Sequence, residues 1–190
     1  MPGSSLWLLP PSNHPLGKVL PALIDKTSKQ FGSPHRFLPH VTLTSEILPS
    51  THGSDGQAWL DSLDLDVGKG EVRVNFKCLD SEDYFFRKLY IKCQVDDGLK
   101  KLAGQCRRHV EGFSDEKKAE QWANESYMPH LSLMYHDCPA IDAKGLSSVD
   151  MTEVELEGSS QMSGWVGGRV VLVPTDKPID QWVPIAERLI

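Results

Sequence analysis

The sequence predicts an α+β fold of two pseudo-symmetric lobes, and three observations carry that reading. Pro-His-apolar-hydroxyl-apolar is written twice, as "PHVTL" at 39–43 and as "PHLSL" at 129–133. Each copy closes the same run of elements: a strand, a helix, then a strand bearing His-x-hydroxyl. "SLWLL" leads to "PHVTLTS" in the first half, and "KLYIKCQ" leads to "PHLSLMY" in the second. The repeat distance, 130 − 40 = 90 residues from histidine to histidine, is too long for a solenoid and suits two lobes sharing one core. The expectation is a single domain over 1–190. One lobe spans about 1–50 plus the C-terminal strands, and the other spans about 71–160. Neither half alone has enough strand to close a core.

The elements run in order along the chain. "SLWLL" (5–9) reads as a buried strand ended by Pro10 and Pro11. Leu16, Val19, Leu20, Leu23, Ile24 and Phe31 recur at helical spacing. Pro15 suits the first turn, Pro21 is expected to bend the helix or shift its start, and Gly32-Ser33-Pro34 stops it. "FLPHVTLTSEIL" (37–48) alternates as a strand. A Gly/Ser/Asp stretch at 50–56 leads into a short helix around Trp59, Leu60 and Leu63. "EVRVNFKCL" (71–79) and "YFFRKLYIKCQV" (84–95) predict two strands joined by the acidic turn "DSED". Asp96-Asp97-Gly98 then caps a helix carrying Leu99, Leu102, Cys106, Val110 and Phe113. Residues 114–126 are charged and polar, a solvated loop or a surface helix. "HLSLMY" (130–135), "TEVELEG" (152–158) and the glycine-broken "GWVGGRVVLVPTD" (164–176) predict three more strands. The tail from Ile179 predicts a short helix docked through Trp182, Ile185 and Leu189.

The bulk numbers exclude several classes. Hydrophobic residues make up 39% and charged residues 24%, an ordinary soluble composition. A net charge of −6 argues against tracking long nucleic acid by bulk electrostatics, which usually needs a basic face. Cys78, Cys93, Cys106 and Cys138 form no C-x-x-C pair. The opening "MPGSSLWLLPP" has no basic leader region, and no stretch approaches the ~18 apolar residues of a membrane span. The expectation is a soluble, intracellular, cytoplasmic monomer with mostly reduced thiols, two pairs forming only in an oxidising compartment.

The motifs carry the chemistry. Side chains alternate along a strand, so His40, Thr42 and Thr44 share one face of the first motif, and His130 and Ser132 share one face of the second. Each strand anchors itself by its apolar face and presents an imidazole beside a hydroxyl. Two imidazoles suit phosphoester chemistry, one as base and one as acid. The hydroxyls can donate to non-bridging oxygens, where charge accumulates. A single strand histidine is more often structural, and H-x-[ST] alone says little; the paired pattern is what raises it. A zinc site from His40 and His130 lacks further ligands at usual spacing, since His35, His52, His109 and His136 make no set, and His14 reads as a surface residue. No metal and no cofactor are therefore expected. "GWVGGR" and "VGKG" fit neither a P-loop nor a dinucleotide fingerprint, and "KKLAGQCRRH" reads as a solvated helix face.

"HVTLT" and "HLSLMY", with the opening "SLWLLPP" and the closing "LVPTDKPIDQWVPI", resemble the two-histidine phosphoesterase superfamily over essentially the whole chain. Within it the chain is similar to the fungal and plant cyclic phosphodiesterases. The resemblance implies two lobes, each an antiparallel sheet with outer helices, around a V-shaped cleft. It implies metal-independent hydrolysis of 2′,3′-cyclic nucleotides to 2′-phosphates, and of ADP-ribose 1″,2″-cyclic phosphate, a tRNA-splicing by-product, to the 1″-phosphate. By motif, His130 would activate water and His40 would protonate the leaving oxygen, although the two motifs are nearly interchangeable. Thr42 and Ser132 would hold phosphate oxygens, and Tyr135 would stack on base or ribose. Strict alternation puts Tyr135 on the face opposite His130, unless the strand ends or bulges near Met134. Trp165 is a further candidate for the cleft wall, with a buried core role equally open. Golgi association is known for some family members. Two alternatives stay open: an enzyme acting on RNA ends or 2′–5′ linkages, and a cyclic-phosphate-binding module without turnover.

Overall fold

The computed structural model describes residues 3–68 and 71–190, so Lys69 and Gly70 of the expected "VGKG" turn lie outside the described residues. Eight strands form one sheet in the order β6-β3-β4-β5-β2-β1-β7-β8. They are β1 (Ser4–Leu9), β2 (Val41–Ile47), β3 (Arg73–Asp80), β4 (Leu89–Cys93), β5 (His130–Met134), β6 (Gly164–Val166), β7 (Arg169–Pro174) and β8 (Ala186–Leu189). Every paired neighbour is antiparallel. The two sheets implied by the repeat are thus joined into one, and the join is a single residue pair, Val41↔Leu131, between β2 and β5.

The helices are α1 (Leu16–Phe31), α2 (Pro49–His52), α3 (Gly56–Ser62), α4 (Asp97–Arg107), α5 (Glu116–Glu125) and α6 (Ala143–Ser147). The apolar stripe of α1 buries Leu16, Leu20, Leu23 and Ile24, and the helix runs through the exposed Pro21 to a left-handed Gly32 at φ 76°. Asp96 caps α4 by accepting from the Leu99 N–H at 3.1 Å. Asp115 does the same for α5, through Lys118 at 3.1 Å, so the polar stretch 114–126 is a capped surface helix. Leu6, Leu8, Val41, Leu43, Leu131 and Leu133 from the sheet pack with Leu20, Ile24, Leu99 and Leu102 from α1 and α4 in the main core. A second, aromatic cluster of Trp7, Leu9, Tyr135, Val171, Val173 and Trp182 lies apart from it. Leu6 and Leu8 belong to one cluster and Trp7 and Leu9 to the other, as alternation along β1 requires.

Three expectations are corrected. Residues 152–158 form turns, not a strand: β6 takes the edge of β3 through Arg73↔Val166, Val74↔Trp165 and Asn75↔Gly164, and of this stretch the Glu157 N–H reaches β3, donating to the Phe76 carbonyl at 3.0 Å. The tail is a short 3-10 turn (Ile179–Gln181) followed by β8. Pro184 has no N–H to continue a helix, and β7 offers a free edge that β8 fills from Arg169↔Leu189 to Leu172↔Ala186. Trp182 docks as expected, but Ile185 and Leu189 are 49% and 71% exposed. The stretch 84–95 begins with a 3-10 turn (Phe85–Arg87), and β4 starts only at Leu89.

The glycine-broken strand is real and has a purpose in the topology. Its first part, β6, pairs with β3 at one end of the sheet order; its second, β7, pairs with β1 and β8 at the other. Gly167 and Gly168, at φ 64° and 132°, make the turn between them. A Cβ on Gly168 would lie 2.3 Å from the Leu9 carbonyl oxygen, so only glycine fits. The two ends of the sheet are therefore brought together by one short chain segment.

Candidate active site

The pair Val41↔Leu131 sets the site. Antiparallel pairing across that point puts His40 opposite Ser132 and Thr42 opposite His130, all on the face away from the main core. The four side chains occupy the corners of a quadrilateral, histidine diagonal to histidine and hydroxyl diagonal to hydroxyl. Diagonal neighbours across such a pair lie about 7–8 Å apart, room for a tetrahedral phosphorus between them. The four residues line one cavity of about 250 Å³.

Both imidazoles are fixed in the same way. His40 Nδ1 bonds the carbonyl of Leu38 at 2.6 Å, and His130 Nδ1 bonds that of Met128 at 2.9 Å. In each case a buried proline, Pro39 or Pro129, stands between donor and acceptor and restrains the chain entering the strand. The carbonyl requires Nδ1 to carry its proton, which leaves Nε2 as the working nitrogen. Burial lowers the His40 pKa to about 3; the bond to Leu38 opposes that shift, and His130 adds to it. His130 is part-buried, and loss of hydration lowers its pKa as well, against the support of the Met128 carbonyl and with a smaller lowering from Arg87. Both rings are thus biased towards the neutral form in the free protein.

The strands depart from simple alternation at two points that matter. Between Leu89↔Met134 and Tyr90↔Ser132, β4 advances one residue while β5 advances two. The extra residue, Leu133, is a β-bulge, and it reverses the facing of the residues after it. Tyr135 therefore joins His130 and Ser132 at the cavity. Thr27 of α1 donates to the Leu133 carbonyl at 2.9 Å, and Ser33 donates to that of Tyr135 at 2.7 Å, holding the bulge from the helix side. A comparable slip between Trp7↔Thr42 and Leu6↔Thr44 turns Thr44 away from the His40–Thr42 face. Its hydroxyl meets Arg107 Nη1 at 3.4 Å, so the expected three-residue face is a two-residue one, although Thr44 still lines the cavity.

Ser132 donates to the Phe86 carbonyl at 2.9 Å, whereas Thr42 contributes its backbone carbonyl to Tyr127 at 3.1 Å and no side-chain bond is formed by its hydroxyl among the described residues. Tyr135 is 2% exposed, with its face stacked on Phe37 at 3.8 Å and its phenol beside Ser132, so it offers a hydroxyl more than a stacking surface. Trp165 is not brought to the cavity. It lies in the main core beside Phe76, where β6 meets β3.

Sequence reasoning missed Arg87, Phe86 and Tyr84, which come to the cavity from the short turn before β4. Among the described residues, Arg87 is the only lysine or arginine in its lining. Its Nε and Nη2 bond Glu82 Oε2 at 2.9 and 2.7 Å, and the other oxygen of Glu82 accepts from the Tyr90 hydroxyl at 2.6 Å. The aromatic position was readable: "LWL" at 6–8 and "LYI" at 89–91 hold the same place in the repeat. A larger hollow of about 410 Å³ lies between α4 and α5 and contains neither motif. Among the described residues, no three His, Cys, Asp or Glu side chains are grouped as metal ligands, and no helix is long and apolar enough to cross a membrane.

An antiparallel α+β fold with two His-x-hydroxyl strands turned to one cavity is the arrangement of two-histidine phosphoesterases. The chain belongs to the cyclic phosphodiesterase-like family, whose model, described as "Cyclic phosphodiesterase-like protein", matches residues 1–190. It is 64% identical to a 2′,3′-cyclic-nucleotide 3′-phosphodiesterase of Phaeosphaeria nodorum, over 99% of each chain. It is 40% identical to the protein of the same name from Neurospora crassa, over 100% of each chain. Among solved structures, E. coli LigT complexed with 3′-AMP aligns with a TM-score of 0.46 at 13% identity, covering 100% of this chain and 97% of that one.

Proposed function

We propose that the protein hydrolyses 2′,3′-cyclic nucleotides to nucleoside 2′-phosphates, and ADP-ribose 1″,2″-cyclic phosphate to the 1″-phosphate, through its paired histidines and without a metal ion. The observation that carries this reading is the diagonal quartet of His40, Thr42, His130 and Ser132 around one cavity. The names of the fungal relatives supply the substrate class. The halves β1-β2-β7-β8 and β3-β4-β5-β6 act as two lobes meeting at the Val41↔Leu131 seam.

Water attacks phosphorus and His130 Nε2 takes its proton. The bond from phosphorus to the 3′-oxygen breaks, and His40 Nε2–H protonates that oxygen. One proton is taken and one is given, so the pair balances over a turnover. Thr42 and Ser132 donate to the non-bridging oxygens, Tyr135 supports Ser132 from beside it, and Arg87 supplies the fixed positive charge that a phosphodiester anion needs. Tyr84 and Phe86 offer an apolar wall for the nucleoside. Ring strain in the five-membered phosphate favours opening, so positioning accounts for most of what the protein must add. Turnover of the ADP-ribose substrate would place the enzyme in the removal of a tRNA-splicing by-product.

The test is incubation with adenosine 2′,3′-cyclic phosphate in excess EDTA, followed by phosphorus NMR, beside His40→Ala and His130→Ala. Formation of the 2′-phosphate by wild type, lost in both variants, is the expected result. Formation of the 3′-phosphate, or activity surviving in either variant, would overturn the reading.

A further inference from the structure

Each motif histidine has an aromatic companion at the same place in the fold, and the two companions differ. Trp7 on β1 pairs in register with Thr42, and Tyr90 on β4 pairs in register with Ser132. Each ring is therefore diagonal to the histidine two residues before that hydroxyl. Trp7 lies flat on His40, with ring centroids 3.7 Å apart and planes 6° from parallel. Tyr90 meets His130 at 5.4 Å and 74°, while its hydroxyl is held by Glu82 at 2.6 Å and Asp80 at 3.3 Å. One histidine has the face of a π-system against it; the other has a ring held edgewise by carboxylates.

His40 is buried, and among the described residues no carboxylate lines the cavity. The titratable and charged groups that face this cavity are His130 on β5, Tyr135 just after it, Tyr84 and Arg87 on the turn before β4, and Tyr127 ahead of β5. Phe37 is the other aromatic neighbour, edge-on at 6.2 Å. With Nδ1 fixed on Leu38, a positive His40 ring must be supported by the substrate phosphate on one side and by whatever lies against its plane on the other. The indole supplies that second support, since the face of an aromatic ring attracts a cation and tryptophan does so most strongly.

We propose that Trp7 is a positioning residue for His40, holding the imidazole plane and supporting its protonated form so that His40 is the proton donor of the pair. This rests on the hydrolytic reading of the same site. Tyr90 holds its partner by a different device, and the asymmetry of the two companions separates the roles of two otherwise interchangeable motifs.

Trp7→Phe keeps an aromatic face, and Trp7→Leu removes it. With adenosine 2′,3′-cyclic phosphate, the basic limb of kcat should fall by about one pH unit in Trp7→Leu, and by a few tenths at most in Trp7→Phe. An unmoved limb in Trp7→Leu, or equal displacement in both variants, would overturn the proposal, because volume alone would then be at work. Trp7 is fully buried, so a measurement on wild type stands beside the variants. The ring protons of His40 should be shifted upfield by the indole, and should stay so when bound 2′-AMP protonates the ring. Loss of that shift on protonation would mean that the cation leaves the indole, and the proposal fails. Wild type that turns over no cyclic nucleotide would remove the hydrolytic reading instead, and the NMR titration would still decide the stack.

Discussion

His40 and His130 make the same hydrogen bond, each Nδ1 to the carbonyl two residues earlier with a proline between. The bond fixes the tautomer and leaves one nitrogen for chemistry. Asparagine places an amide near Nδ1 and nothing at Nε2, so His40→Asn and His130→Asn should keep the anchor and lose the reaction. A drop in kcat of about 10²–10⁴ is expected for each, with circular dichroism unchanged. A variant within ten-fold of wild type would release that histidine from the mechanism.

The pH profile should be displaced towards acid. Burial lowers the pKa of both histidines, that of His40 to about 3 from an ordinary 6.5. The active free enzyme holds one proton on the pair, and the second proton leaves at the higher of the two values. That value lies below 6.5, so kcat/KM should already be falling as pH rises through 6.5. A bound phosphate anion favours the charged form, so the basic limb of kcat should lie above that of kcat/KM. Steady-state profiles between pH 4 and 9 check this; a kcat/KM maximum at pH 7.5 or above would contradict it.

The two hydroxyls should not be equal. Ser132 has one proton to donate and gives it to the Phe86 carbonyl, so it must turn away from a formed bond to reach phosphate. Among the described residues, the Thr42 hydroxyl has no such bond to exchange. Thr42→Ala should cost about 10²–10³ in kcat, in the range of a lost oxyanion donor, and Ser132→Ala several-fold less. Single-turnover rates on one cyclic nucleotide measure the order, and the reverse order would show that the serine is the principal donor.

Arg87 should be visible in binding more than in chemistry. Glu82 holds its Nε and Nη2, and among the described residues Nη1 makes no bond. Arg87→Gln keeps much of the shape and removes the charge. A KM increase of roughly ten-fold or more is expected, from the loss of a charge-assisted contact, with kcat changed about three-fold at most. Arg87→Lys should recover part of it. An unchanged KM in both variants would leave the anion held by the quartet alone.

The facing of the two motifs was legible because alternation along a strand needs no tertiary information. His40 with Thr42, and His130 with Ser132, share a face for that reason alone. Tyr135 shows where such reading ends. Its facing depends on a bulge at Leu133 that the Thr27 and Ser33 hydroxyls satisfy from α1, and no local pattern announces a partner of that kind. Residues 152–158 and the tail fail for a related reason: which segment takes a sheet edge is decided by competition between distant pieces of chain. Trp165 belongs to the closure made by Gly167 and Gly168, where a glycine pair read as a break proves to be a corner. Arg87 reaches the cavity from a 3-10 turn inside a stretch that alternates like a strand, so its direction was hidden.

The register of Val41 against Leu131 has a stereochemical consequence. A diagonal pair of histidines addresses a ligand from opposite sides, so the entering and departing oxygens of the proposed reaction are forced onto one line through phosphorus. A single displacement on that line turns the phosphorus centre inside out. Handedness at phosphorus would then be inverted in every turnover, set by nothing more than which two residues meet at the middle of the sheet.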